Sequence, residues 1–218
     1  PLRDVYKRQR LPVYILVDTS GSMRGEPVQA LNVGLKTMEQ ALRRDPFALD
    51  TVHLSLITFD IQAKELFALT PIDQVRIPNI EVPSSGATFL GAALKMLAEC
   101  VDRDLKQGDS SRRGDWRPLA FVMTDGSPSD IQAYKEGIAE IKRRDFARII
   151  ACAAGPRAKR DALLELTNTV VALDTLDGAG FAQFFQWVSS TIAEGGRSGG
   201  IQESDTLPDL PGEVKIAF

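Results

Sequence analysis

Residues 11–22, LPVYILVDTSGS, set two opposite chemistries back to back. Leu11–Val17 is a nearly unbroken apolar run, as expected for a strand covered on both faces. Asp18–Ser22 then supplies a carboxylate, three hydroxyls and a glycine. A strand buried on both faces belongs in a parallel sheet with helices on either side. The C-terminal ends of such strands are where ligands collect.

The rest of the chain continues the alternation. Val28, Leu31, Leu35, Met38 and Leu42 form one helical stripe, with Pro27 suited to a first turn. TVHLSLITFD (51–60) reads as a strand, and AKELFALT (63–70) comes closely enough after it to be its hairpin partner or an edge strand. Residues 71–87 are Pro-rich and irregular. Leu90, Leu94, Leu97 and Val101 mark a helix, WRPLAFVMTD (116–125) a strand, and Ile131, Tyr134, Ile138 and Ile141 a further helix. ARIIACAAG (147–155) reads as a strand, 157–166 as a short helix and TVVALD (169–174) as the last core strand. Phe181, Phe185, Val188 and Ile192 stripe the final helix. The expected fold class is α/β: a doubly wound, mostly parallel sheet of about six strands, one of them an antiparallel edge strand, with helices on both faces.

One domain is expected over 10–194. PLRDVYKRQ (1–9) shares no pattern with the rest of the chain and reads as a non-native leader. From 195 onward, EGGRSGG reads as a flexible linker and the remainder, to 218, as an acidic tail that ends in a short apolar strand-like stretch and could dock on the domain, pair with a sheet edge or stay disordered. That tail carries Glu203, Asp205, Asp209 and Glu213, which makes it a candidate competitor for any site that seeks a carboxylate.

Composition narrows the function. With 44% hydrophobic and 25% charged residues, the chain is that of a globular protein. A net charge of −3 gives no general attraction to nucleic acid or to an anionic membrane. The basic runs SRRGDWR and IKRRDFAR read as solvated loop and helix ends. Cys100 and Cys152 have no metal-binding spacing; buried free thiols suit a reducing, cytoplasmic compartment. No run approaches the ~20 apolar residues of a membrane span.

Three loops at strand ends carry unusual chemistry: DTSGS, SSGAT (84–88) and MTDG (123–126). They offer Asp18, Ser20, Ser22, Thr88 and Asp125, all hard oxygen donors. Gly21, Gly86 and Gly126 are expected to let the loops bend. Carboxylates with hydroxyls suit Mg2+, with Mn2+ or Ca2+ as alternatives, and do not suit zinc or copper. Thr88 could equally cap the helix after it. His53, the single histidine, sits in a strand pattern and reads as structural.

In this order, DTSGS, the Thr of SGAT and TDG resemble the D-x-S-x-S, Thr and Asp elements of the von Willebrand factor A domain family. The element pattern agrees from about 11 to 194. RLPVYILVDTSGSMRGEPVQALNVGL, LSLITFD and SSGATFLGAAL resemble, more narrowly, the bacterial TerY-like proteins of tellurium-resistance and stress-response clusters. The resemblance implies a Rossmann-like sheet carrying a metal-ion-dependent adhesion site. There Ser20, Ser22 and Thr88 would be direct or near-direct ligands, and Asp18 and Asp125 would bind directly or through water. It implies a cytoplasmic interaction module, not an enzyme, whose protein partner supplies an Asp or Glu to the metal. It further implies a gene cluster shared with a kinase and a PP2C-type phosphatase. Two alternatives stand beside it. One is a Mg2+-dependent phosphohydrolase or phosphotransferase using Asp18, although position 20 holds Ser where that chemistry wants a second carboxylate. The other is a scaffold that binds no metal.

Overall fold

The computed structural model describes residues 9–83, 86–111, 113–201, 206–212 and 214–216. Of the expected leader, residues 1–8 lie outside them. In chain order the elements are β1 (Leu11–Asp18), a 3-10 turn (Gly21–Met23), α1 (Glu26–Arg44), α2 (Pro46–Thr51), β2 (Val52–Phe59), β3 (Ala63–Pro71), α3 (Leu90–Asp104), β4 (Leu119–Thr124), α4 (Ile131–Lys142), β5 (Arg148–Ala154), α5 (Arg160–Leu166), β6 (Val170–Leu173), α6 (Gly178–Ser198) and β7 (Val214–Ile216).

The strands form one sheet in the order β3-β2-β1-β4-β5-β6-β7. β1 pairs in parallel with both β2 and β4, β4 with β5, and β5 with β6. β3 and β7 are antiparallel edges. The α/β expectation therefore holds, with seven strands among the described residues instead of about six and two antiparallel edges instead of one. The extra strand is β7, three residues of the tail that pair with β6.

The apolar run at β1 divides cleanly. Leu11, Val13, Ile15 and Val17 join a core with α1 and α6, while Tyr14 and Leu16 join a second core with α3 and α4. Period-two alternation sends neighbours to opposite faces, so a two-faced strand must be apolar throughout. Both cysteines are free and buried.

Helix pairs close over each face where glycine removes a side chain. A Cβ on Gly34 of α1 would lie 2.4 Å from the Phe185 ring of α6. One on Gly91 of α3 would lie 2.2 Å from the Tyr134 backbone nitrogen of α4. α6 also departs from the linker expected after 194, continuing through Gly195 and Gly196 to Ser198 before Gly199 ends it at φ 79°. Those glycines serve packing: a Cβ on Gly195 would meet Ile201 at 2.9 Å, and one on Gly196 would meet Thr51 Oγ1 at 2.9 Å.

β1 leads through α1 to β2 on one side, and the chain later crosses to β4 on its other side. The sheet thus reverses its winding between β1 and β4. That switch point is where a doubly wound sheet opens a crevice. Asp18 ends β1 and Asp125 comes directly after β4, one on each side of it.

Candidate metal centre

At the switch point the backbone turns sharply after β1. Asp18 Oδ1 accepts from the Ser20 backbone N–H at 2.7 Å, an Asx-turn that starts the 3-10 turn. Asp18 Oδ2 accepts from Thr124 Oγ1 at 2.5 Å, tying the end of β1 to the end of β4. Ser20 Oγ and Ser22 Oγ stand 3.1 Å apart, and Ser22 Oγ donates to Asp125 Oδ1 at 2.8 Å. Four of the expected residues are therefore joined in one polar cluster.

Thr88 reaches the same place from the third loop. A Cβ on Gly126 would stand 3.2 Å from Thr88 Oγ1, so the hydroxyl lies directly over the residue after Asp125. Neither Gly21 nor Gly126 has a positive φ. The turns there do not use the conformation that glycine alone favours, and Gly126 instead supplies clearance for Thr88. The capping role is corrected as well. Phe89 is the N-cap of α3 and makes no side-chain cap bond. Asp130 caps the helix from the neighbouring loop, accepting from Gly91 N–H at 3.0 Å and Ala92 N–H at 2.8 Å.

The Thr88 loop is held from both sides. Phe89 N–H donates to Asp60 O at 2.7 Å, and Ser129 N–H donates to Thr88 O at 2.8 Å. Ser129 Oγ accepts from Thr88 N–H at 3.2 Å. Asp60 in turn accepts from Thr19 Oγ1 at 3.1 Å. Sequence reading passed over Thr124, Thr19, Asp60, Ser129 and Asp130. A signal existed for two of them. Asp60 ends LITFD as Asp18 ends YILVD, and Thr124 directly precedes Asp125 in TDG.

The electrostatics are those of an anion cluster removed from water. Asp18 is 0% exposed, Asp125 1%, Ser20 1% and Thr88 6%; Ser22 is half-buried. Burial pushes the Asp18 carboxyl up to about 6; hydrogen bonds from Thr124 and Ser20 oppose the shift, and the nearby Asp125 charge adds to it. Asp125 Oδ2 is buried with no hydrogen-bond partner. An unpaired buried carboxylate oxygen is costly, and a cation beside it would remove that cost. Among the described residues no three His, Cys, Asp or Glu side chains converge. A site here therefore depends on its hydroxyls, and a donor set of two carboxylates and three hydroxyls fits a hard divalent ion.

Other candidate chemistries do not assemble. His53 is half-buried with Nδ1 3.2 Å from Thr51 O, and burial lowers its pKa. Gly196–Gly200 has nucleophile-elbow spacing, G-x-S-x-G, but lies at the end of α6 and not in a strand-to-helix turn. Its Ser198 Oγ bonds Glu194 O at 2.9 Å and Gly200 O at 3.0 Å. In the basic run 141–148, Arg144 pairs with Asp102 and Glu140, and Arg143 with Glu140.

A doubly wound sheet with a hydroxyl–carboxylate cluster at its switch point defines a class of α/β domain. Residues 13–175 match the von Willebrand factor type A domain, and the chain belongs to that family. Among solved structures, a von Willebrand factor type A protein from Catenulispora acidiphila aligns with TM-score 0.64 and 15% identity, over 85% of this chain and 43% of that one. The pilus adhesin SpaC of Lactobacillus rhamnosus GG aligns with TM-score 0.66 and 12% identity, over 86% of this chain and 31% of that one. Proximal thread matrix protein 1 of the mussel byssus, whose metal-ion-dependent adhesion site holds zinc, aligns with TM-score 0.59 and 15% identity, over 88% and 47%. The chain spans less than half the length of each. At these identities the likeness is one of fold. No curated protein sequence matches the chain. Domains of this family are typically adhesion or interaction modules and not enzymes. Among the described residues no helix is long and apolar enough to cross a membrane.

Proposed function

We propose that this chain is a metal-dependent protein-interaction module. Asp18, Ser20, Ser22, Thr88 and Asp125 hold Mg2+, with Mn2+ or Ca2+ as alternatives, and an Asp or Glu of a partner protein completes the coordination. The observation that carries this reading is Asp125 Oδ2, buried without a partner beside a second carboxylate and the clustered hydroxyls. When bound, the cation supplies an electrophilic point with a position left open for an outside oxygen. The chain does the rest. Thr124 and the Ser20 amide fix both oxygens of Asp18, and Gly126 leaves room for Thr88.

The phosphohydrolase reading is weaker. Position 20 holds Ser where that chemistry wants a second carboxylate, and both oxygens of Asp18 already accept hydrogen bonds, which dulls a nucleophile. The narrower resemblance to TerY-like proteins supports a cytoplasmic stress-response or tellurite-resistance assembly. A kinase and a PP2C-type phosphatase of the same cluster are then the first partners to try.

Titration calorimetry of Mg2+ into the native protein and into Asp18→Ala tests the site. Heat that saturates in the native protein and disappears in the variant is expected. Equal affinity in the two rejects the assignment.

A further inference from the structure

Beside the metal site runs a groove of about 480 Å³ between the N-terminal half of α1 and the extended segment 79–82. Its lining includes Arg24, Val28, Val33, Lys36, Ile80 and Val82. Its near end is close to the site along the chain: Arg24 comes directly after the 3-10 turn that carries Ser22.

The groove's outer wall is pinned in place. Asn32 Nδ2 donates to Ile80 O at 2.9 Å, and Asn32 Oδ1 accepts from Ile80 N–H at 2.7 Å. A side-chain amide thus makes the reciprocal pair that a neighbouring strand would make. Further along, Glu39 Oε2 accepts from Ile77 N–H at 3.1 Å. At the metal end, the Arg24 guanidinium donates to Pro83 O at 2.9 Å. A cleft held open this way meets a ligand without a large ordering cost.

Its chemistry is mixed in an informative way. Val33 is 62% exposed on the outer face of α1, a position where an amphipathic helix normally carries a polar residue. Half-buried Val28 and Val82 extend the aliphatic surface. Arg24 and Lys36 meet no carboxylate among the described residues, and the lining holds a single carboxylate, Glu81. In a chain of net charge −3, this groove is locally basic.

We propose that the groove docks an extended segment of a partner protein in which aliphatic and acidic residues alternate. The aliphatic side chain lies against Val28, Val33 and Val82, and an acidic one meets Arg24 and Lys36. The proposal rests on the metal-dependent reading only for the end of the segment that reaches the metal.

A random peptide-display library panned on the full chain in Mg2+ tests this, with fluorescence polarisation of the enriched peptides as the second step. Enriched sequences should pair acidic with aliphatic residues. Val33→Asp and Lys36→Glu should each weaken them about tenfold. Both side chains are exposed, so neither change threatens folding. Circular dichroism verifies this. Enrichment of peptides without that pairing, no enrichment at all, or equal binding by both variants overturns the proposal. An EDTA arm separates it from the metal reading. Binding that EDTA abolishes but the groove variants leave intact refutes the groove and supports the metal. Binding that the variants weaken but EDTA leaves intact supports the groove and refutes the metal as its anchor.

Discussion

Two parts of this molecule are equally buried and built from opposite materials. Around the ends of β1 and β4, Asp18, Thr19, Ser20, Thr88, Thr124 and Asp125 are almost inaccessible. On the flank formed by β6, α6 and β7, Phe181, Phe184, Phe185, Trp187 and Val188 are equally so. On the flank, polar groups are matched: Asp177 caps α6 through the Gly180 N–H at 2.9 Å, and Trp187 Nε1 donates to Pro208 O at 2.9 Å. At the strand ends, a carboxylate oxygen is left over. Matched burial stabilises a fold, whereas burial with an oxygen to spare stores affinity for something else. Truncating side chains should therefore unfold one region and silence the other.

The largest effect belongs to the flank. Phe185 lies against Gly34 and meets Phe184 edge to face at 5.3 Å between centroids. Phe185→Ala should cost about 3–5 kcal/mol of folding stability, measured by urea denaturation, with Mg2+ affinity of the folded fraction unchanged. A cost below about 1 kcal/mol would mean that the α1–α6 face is not a packed core.

Next comes Asp18→Ala. It should lower metal affinity at least about a hundredfold, equivalent to ~2.7 kcal/mol, while the apo protein stays folded. Asp18→Asn sharpens the contrast through pH. The folded carboxyl sits at about 6 against an ordinary 3.8, chiefly because of burial. In metal-free protein its stabilising contribution is complete below the unfolded value and is lost as pH rises through about 6. In EDTA the Asn variant should thus be the more stable at pH 7, by about 2–3 kcal/mol. That advantage should shrink as pH falls towards 4. A native protein more stable than the variant at neutral pH would remove the burial cost inferred for the Asp18 carboxylate.

How far the sequence revealed each region differs for the same reason. The strand-end cluster was readable because its donors come as short local strings, DTSGS and TDG, each placed by the strand before it. Its supports were hidden. Thr124 reaches Asp18 across 106 positions and Asp130 caps a helix that begins 40 residues earlier, pairings no local pattern encodes. The flank was misread where composition argues one way and packing the other. Gly195–Gly196 looks like linker, yet both glycines sit inside α6 because neighbours leave no room for a Cβ. β7 was legible as a strand-like end of the tail, but three residues alone could not choose between pairing with an edge, docking elsewhere or staying disordered; pairing with β6 settles it. α2 was missed although Asp45-Pro46 is a capping signal. Asp45 Oδ1 accepts from Phe47 N–H at 2.9 Å and Ala48 N–H at 3.0 Å.

A smaller effect tests the third loop. Thr88→Ala removes one hydroxyl and should weaken Mg2+ about tenfold, ~1.4 kcal/mol. Gly126→Ala leaves every donor in place but sets a methyl 3.2 Å from Thr88 Oγ1. It should weaken Mg2+ a few-fold by displacement alone. If Thr88→Ala binds like the native protein, the site lacks the third loop.

The smallest effect asks whether the two regions communicate. Trp187→Phe deletes the hydrogen bond to Pro208 and keeps an aromatic ring in the core. Pro208 is half-buried, so its carbonyl can turn to water, and the loss should be about 0.5–1 kcal/mol. What it loosens is the described part of the tail, which runs through Leu207 and Leu210, packed on the core, to β7. Asp209 is the acidic residue of that described part; Glu203, Asp205 and Glu213 lie outside the described residues. β7 stands three strands from β4 in the sheet, roughly 14 Å at ordinary strand spacing. A tail anchored there and matched in its own hydrogen bonds should be silent at the metal. Trp187→Phe should leave Mg2+ affinity and metal-dependent peptide binding as they are, while hydrogen exchange at Val214–Ile216 speeds up. Faster exchange accompanied by tighter peptide binding would show that the tail competes for the open coordination position. The flank would then be a regulator of the site instead of its inert support.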